Sequence, residues 1–270
     1  MTGEDLVVNY LEHSFKDHWF ADPFILDVTD SELKVLVEDY YQPIHRGQIS
    51  LLTVDRKTMK LKRLIPILTL PTHLSYPIIW RTGGKVYMYP ESGASKKLKL
   101  YELDLTKMKA IESATLAEGD LADATLTFLF GEPFMFATSN PCKDGRVLEI
   151  YKRDALSTHF VDKEEIVFNE VIARQAGDFF TYKGGVFRPA QESNNLYGHA
   201  VVLQQVSHTE KGWSFKEIRR LYSPSKTYPL GLHTFNMYKD VIVVDSVAYY
   251  HPLLAGMAHR IFNMVKRFVR

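Results

Sequence analysis

A strand–turn–strand unit recurs five times along this chain at intervals of roughly 50 residues, and this recurrence restricts the fold more than any single motif does. The units begin near residues 21, 75, 123, 174 and 232. In the first, Ala21-Asp22-Pro23-Phe24-Ile25-Leu26 precedes Leu33 to Glu38; in the second, Ser75-Tyr76-Pro77-Ile78-Ile79-Trp80 precedes Lys85 to Glu91. Asp123 to Phe130 is followed by Pro133 to Thr138, Arg174 to Tyr182 by Gly185 to Gln191, and Leu232 to Tyr238 by Val241 to Asp245. β-Branched and aromatic residues dominate these runs because they pack well on a pleated surface. Between the two runs of each unit lie Asp30-Ser31, Thr82-Gly83-Gly84, Phe130-Gly131-Glu132, Lys183-Gly184-Gly185 and Lys239-Asp240, which read as tight hairpin turns. Third strands are legible at Gly47 to Leu52, Lys99 to Leu103, Val147 to Tyr151 and His199 to Leu203, and fourth strands at Leu61 to Ile65 and Trp213 to Ile218. Four strands in about 50 residues is the size of one propeller blade. The pattern predicts an all-β, five-bladed β-propeller over residues 1–252, with the fifth blade left incomplete or finished by residues before Trp19. A β-sandwich would not produce a fivefold hairpin recurrence.

Composition supports a globular domain and removes several function classes. With 270 residues and 46% hydrophobic content, the chain can bury a sizeable core. Its 33 Lys+Arg balance 32 Asp+Glu, far from the basic surface that nucleic acid requires, so no nucleic-acid partner is expected. A single cysteine, Cys142, forbids an internal disulfide, and no Cys/His spacing suggests a metal site. Residues 1–20 lack the basic start and apolar run of a secretory signal, and no apolar run is long enough for a membrane span; a reducing, cytoplasmic setting is the expectation. Residues 253–270 differ from the rest. Leu254, Met257, Ile261, Phe262, Val265, Phe268 and Val269 fall at helical spacing with basic residues between them, which predicts a short amphipathic C-terminal helix. Such a helix could dock on the domain, a membrane surface or a partner.

In a propeller the innermost strand of each blade starts at the mouth of the central funnel and the next strand returns there. The predicted starts carry Asp22, Ser75-Tyr76, Asp123, Arg174 and His233, and the predicted returns carry Glu38-Asp39, Glu91, Arg188 to Gln191 and Asp245. That set is more polar than packing requires and suits a sugar or carboxylate ligand. Glycoside cleavage uses two carboxyl groups, one ionised and one protonated. Asp22 is assigned as the ionised member and Glu91 as the acid, although Asp22 could instead tie down a strand start and Glu91 could be a solvated turn residue. Glu38 and Asp39 are adjacent on a strand and point to opposite faces, so one of them enters the funnel. Arg174 and Arg188 could hold a substrate carboxylate or phosphate, or bridge blades. Gln191, His233 and Asp245 are candidate substrate contacts, and Tyr76 a candidate stacking ring. No phosphate loop or nucleophile elbow is present. No cofactor is called for; a structural Ca²⁺ is compatible with the abundant oxygen ligands, but no residue pattern places it.

Trp19-Phe20-Ala21-Asp22-Pro23-Phe24 resembles the first blade of the furanosidase-type glycoside hydrolases, the arabinanases, invertases and levansucrases. A closer likeness runs from about Trp19 to Ser246. Ala21-Asp22-Pro23-Phe24, Ser75-Tyr76-Pro77 with Pro90-Glu91-Ser92, Arg188-Pro189-Ala190-Gln191 and Leu232-His233-Thr234-Phe235-Asn236 resemble the propeller domain named for the N-terminal region of plant glucosamine inositolphosphorylceramide transferase. The hydrolase resemblance implies Asp22 as base or nucleophile and Asp123 as the second inner-strand aspartate. At the blade-four position of the acid glutamate this chain has Arg174-Gln175, so an acid must come from Glu91, Glu38 or elsewhere. Two functions follow as expectations: a carbohydrate-active propeller for glycosyl hydrolysis or transfer, and a noncatalytic glycan- or glycolipid-binding domain that assists a glycosyltransferase. Either takes a carbohydrate or glycoconjugate as partner.

Overall fold

The computed structural model describes residues 7–139, 145–153 and 160–248, and among them every regular element beyond two single 3₁₀ turns is a β-strand. The first antiparallel sheet runs β1 (His18–Val28), β2 (Glu32–Tyr41), β3 (Arg46–Asp55) and β4 (Leu61–Leu68) in sequence order. The second repeats this with β5 (Ser75–Thr82), β6 (Lys85–Glu91), β7 (Lys97–Asp104) and β8 (Lys109–Glu118). The third holds β9 (Leu121–Leu129), β10 (Glu132–Ser139), β11 (Val147–Arg153) and β12 (Phe160–Val167). The fourth holds β13 (Phe180–Tyr182), β14 (Gly185–Glu192), β15 (Ala200–Thr209) and β16 (Gly212–Tyr222). The last is the two-stranded hairpin of β17 (Gly231–Tyr238) and β18 (Val241–Val247).

The all-β propeller reading therefore holds, and its blade count is corrected: the described residues form four complete blades, not five, with a hairpin in the fifth position. Among the described residues, those before Trp19 do not complete that hairpin. Glu12 instead forms a parallel bridge with Lys60 at the outer edge of the first blade. The inner strand of blade four is also shorter than expected, because Gly177 (φ 144°) and its neighbours leave the ladder after the Gln175–Ala190 bridge. A Cβ at Gly177 would lie 2.0 Å from the Phe235 carbonyl, so the close approach of blade four to β17 demands glycine there. The expected helix over 253–270 lies outside the described residues. No helix among the described residues is long and apolar enough to cross a membrane.

The second strands show why the blades stack. Along β2, Val35, Leu36 and Val37 are all buried, so this run is apolar on both faces. Leu36 packs into a core shared with Ile78, Met88 and Tyr101 of blade two, whereas Val35 and Val37 pack on the other face with Tyr238, Val241 and Val243 of the closing hairpin. Phe136 and Leu148 of blade three meet Trp213 and Phe215 of blade four, and Val201 and Leu203 of blade four meet Leu232 and Phe235 of the hairpin. Each sheet thus buries two faces against two neighbours, at roughly 1.5–3 kcal/mol per large side chain. The ring closes where β1 and β17 touch, with Asn236 Nδ2 donating to the Pro23 carbonyl (2.8 Å).

A repeated distortion prepares the site. The inner strands break register between Ala21 and Phe24, between Ser75 and Ile78, and between Leu232 and Phe235, and β9 does the same opposite Phe136–Thr138. At three of these bulges a non-glycine residue takes left-handed backbone: Asp22 (φ 47°), Tyr76 (φ 47°) and Asp123 (φ 49°). Each such residue costs on the order of 1–2 kcal/mol, and a bulge re-aims both side chain and amide. Compensation comes from across the blade boundaries, because the freed amides donate to side chains of other sheets.

Candidate functional site

Two linked clusters occupy the funnel mouth, where the inner strands begin. In the first, Asp22 N–H donates to Asp245 Oδ2 (2.9 Å), and Asp22 Oδ2 accepts from Tyr76 N–H (3.1 Å). Asp22 Oδ1 accepts the Thr234 hydroxyl (2.7 Å), and His233 Nδ1 lies 3.2 Å from both Asp22 Oδ1 and Asp245 Oδ2. Asp245 Oδ1 accepts the amides of His233 (3.2 Å) and Thr234 (2.7 Å). In the second, Glu91 Oε2 accepts Asp123 N–H (2.8 Å), and Arg174 Nε donates to Asp123 Oδ2 (2.6 Å) while its Nη2 lies 4.0 Å from Glu91. Tyr197 joins the clusters: its hydroxyl is 3.1 Å from His233 Nε2 and its ring lies 5.3 Å from the Arg174 guanidinium.

The electrostatics separate the two carboxyl groups chosen from the sequence. Glu91 is pushed up to about 8 by burial and by the neighbouring Asp123 charge, with Arg174 offsetting part of this. At Asp22 burial acts upward, but the His233 charge and the hydrogen bonds from His233, Thr234 and the Tyr76 amide hold it below its ordinary value. His233 resists burial because Asp245 and Asp22 face it, and its pKa lies well above the usual histidine range. At neutral pH Asp22 is therefore ionised, His233 is an imidazolium and Glu91 carries its proton. The two carboxyl groups flank one dipeptide: Glu91 pairs with Ser75 in the β5–β6 ladder, and Asp22 accepts from Tyr76.

The remaining candidates divide. Glu38 joins the mouth, 3.0 Å from His73 Nε2; burial raises its pKa, and the bond raises that of His73 in turn. Asp39 turns into blade one, where it accepts from Gln48 and Ser50, as alternation on a strand requires. Tyr76 is corrected as a stacking ring. Its side chain is 2% exposed, packed edge-on against Phe24, and its hydroxyl accepts Gly177 N–H (2.8 Å). Arg188 is likewise corrected as a substrate contact. It lies inside blade four with no exposure, bonded to Gln175, Gln204 and the Ile172 and Ala173 carbonyls. Gln191 is buried, with its amide on the Arg174 carbonyl and its side chain accepting from Ser193.

Sequence reasoning missed Tyr197, His73 and Asp120, all in connections between strands, where no periodicity marks a side chain. A cavity of about 280 Å³ opens beside Glu91, lined also by His73, Ser75, Gly93, Ala94 and Asp120. A larger one of about 330 Å³ lies at the hairpin-turn end, between Leu26, Arg81, Leu105 and Tyr238. One oxygen or nitrogen from each of Asp22, His233 and Asp245 lies within 4.8 Å of the others. Ca²⁺ takes six to eight oxygen ligands. Here the two carboxylates already accept five N–H or O–H groups and face an imidazolium, a donor set that does not fit that ion.

The GH43_1 enzyme from Xanthomonas citri superposes with a TM-score of 0.57 at 11% identity, covering 85% of this chain and 82% of that one. The GH32 β-fructofuranosidase of Bombyx mori gives a TM-score of 0.58 at 13% identity, covering 76% and 52%. At these identities the likeness establishes the propeller fold alone. Among curated sequences, glucosamine inositolphosphorylceramide transferase 1 of Oryza sativa subsp. indica is 28% identical over 153 residues, 54% of this chain and 20% of the relative. The Arabidopsis thaliana protein of the same name is 25% identical over 146 residues, 52% of this chain and 19% of the relative. This chain thus spans about a fifth of the length of the curated relatives it matches. Residues 7–229 match the family described as glucosamine inositolphosphorylceramide transferase 1, N-terminal, and the chain belongs to that family.

Proposed function

We propose that this domain is a carbohydrate-active propeller that takes a sugar or glycoconjugate at its funnel mouth and supports glycosyl hydrolysis or transfer. The observation that carries this reading is the opposed protonation of Asp22 and Glu91, both held next to Ser75-Tyr76. Pairs of carboxyl groups whose surroundings drive their pKa values apart are how one site runs acid and base chemistry together. In the proposed reaction the bond between the anomeric carbon and the leaving oxygen breaks, its electron pair stays on that oxygen, and Glu91 supplies the proton. A new carbon–oxygen bond forms to water or an acceptor hydroxyl, whose proton passes to Asp22. His233 and Thr234 hold Asp22 ionised and in place, and Arg174 fixes Asp123 beside Glu91. The names of the curated relatives and of the propellers of similar fold point to the same substrate class.

A second reading, a glycan-binding domain that assists a transferase, draws support from three observations. Asp22 is only 3% exposed and Arg174 stands where the hydrolase resemblance implies an acid, and the family region is a fraction of longer transferases. Assay of the chain on a panel of aryl glycosides and glycolipids separates the two. Catalysis predicts that Asp22→Asn and Glu91→Gln each lower turnover by about 10²–10⁴-fold with binding retained. It also predicts that turnover falls as pH rises through about 8, where Glu91 loses its proton. Binding without turnover in the unmodified chain would establish the second reading instead.

A further inference from the structure

We propose that the cavity beside Glu91 is a second subsite, built to hold a neutral, hydroxyl-rich group whose oxygen meets the Glu91 carboxyl. The inference deepens the carbohydrate reading and rests on it. The cavity, about 280 Å³, lies between the start of blade two and the connections around it, and Glu91 is the member it shares with the funnel clusters. Its walls are polar: His73, Ser75, Glu91 and Asp120 line it, with Ala94 as the one apolar side chain. An apolar ligand would leave the Ser75 hydroxyl and the Asp120 carboxylate without partners, at about 1–3 kcal/mol each.

Charge narrows the ligand further. Glu38 is paired with His73 at 3.0 Å, so that corner is close to neutral. Asp120, by contrast, makes no hydrogen bond or ion pair with another described side chain, so its carboxylate is available to accept. A phosphate or carboxylate ligand would meet this charge unfavourably, whereas the hydroxyls of a sugar or polyol can donate to it. Gly93 leaves room for that acceptor. A Cβ at position 93 would lie 2.6 Å from Asp120 Oδ1 and would push the carboxylate aside.

Because Glu91 faces both spaces, a ring in the funnel and a hydroxyl-bearing group in the cavity would meet at its proton. The cavity is thus the place for the leaving or accepting group of glycosyl transfer.

The test is amide-resolved NMR of the intact chain titrated with methyl α-glucopyranoside and with glycerol. We expect saturable shifts at Ser75, Gly93, Ala94 and Asp120, weakened about tenfold or more in Gly93→Ala and in Asp120→Asn, as loss of one charge-assisted hydrogen bond implies. Asp120→Asn keeps the side-chain shape and so reports on the ligand even if Gly93→Ala perturbs folding. Shifts confined to Tyr197, Gly198 and His233, or cavity shifts unchanged in both variants, would overturn the subsite and leave the funnel reading standing. No saturable shift anywhere would overturn both.

Discussion

Asp178 shows how a single half-buried carboxyl contributes to the pH response of this protein. Burial pushes it up to about 7, and the Phe179 amide and the Arg81 charge recover only part of the loss. An unfolded chain releases that proton near the ordinary aspartate value, so the folded state loses stability as pH rises from about 4 to about 7 and does not regain it above. Asp178→Asn removes this term while keeping an acceptor for Phe179 N–H. The variant is expected to gain on the order of 2–4 kcal/mol at pH 8 and nothing at pH 4, readable as a higher Tm at the upper pH alone. Equal melting of the two proteins at pH 8 would contradict the burial argument. His233 acts in the same direction by a different route: its raised pKa adds stability that is complete below the usual histidine value and is lost as pH climbs through the folded one. Asp22 acts oppositely, adding stability that is lost as pH falls through its lowered value. At this scale the sequence was informative where polarity and position coincided. Asp22, Glu91 and Asp245 are carboxylates at predicted strand ends, and all three lie in the two clusters at the mouth. It misled at Tyr76, because a ring at a bulge turns inward when the left-handed residue re-aims it, and no residue type announces that direction.

Among the elements, β14 carries the least expected structural device. Arg188 is fully buried between the rings of Phe168 and Phe215, 5.8 and 5.7 Å from its guanidinium, and its hydrogen bonds run to neutral acceptors. Burial lowers its pKa to about 9. It ties the irregular stretch before β13, through Gln175 and the Ile172 and Ala173 carbonyls, to Gln204 on β15. This stitching substitutes for the ladder that blade four lacks on its inner side, where β13 is only three residues long. Arg188→Met would fill similar space yet leave those acceptors unpaired, so a loss of about 2–4 kcal/mol in urea denaturation is expected. An unchanged or raised midpoint would show that the buried cation is a net cost. The hairpins themselves were legible, because two-residue turns such as Gly83-Gly84 and Lys183-Gly184 sit between paired strands as turn chemistry predicts. β8 and β12 were not, since outer strands face solvent on much of their length and carry no apolar alternation.

Across the whole molecule, the site exists because the ring closes. Asp22 comes from blade one, Tyr76 and Glu91 from blade two, Asp123 from blade three, Arg174 from the approach to blade four, and His233 and Asp245 from the closing hairpin. No two consecutive blades would assemble this set, and of the cross-blade hydrogen bonds that cap the strained bulges, the one from the Tyr76 amide helps to hold Asp22 ionised while the one from the Asp123 amide works against the burial that keeps Glu91 protonated. A fivefold recurrence predicts such convergence, but the protonation states arise from burial and neighbours that only the closed ring supplies. The central claim is that one ionised and one protonated carboxyl share the funnel mouth at neutral pH. Carbon-13 NMR titration of the side-chain carboxyls in the intact chain tests it most directly, with Asp22→Asn and Glu91→Gln used to assign the two signals. Glu91 is expected to titrate near 8 and Asp22 below the ordinary aspartate value. If both titrate together at ordinary carboxylate values, the acid–base division of the site is wrong.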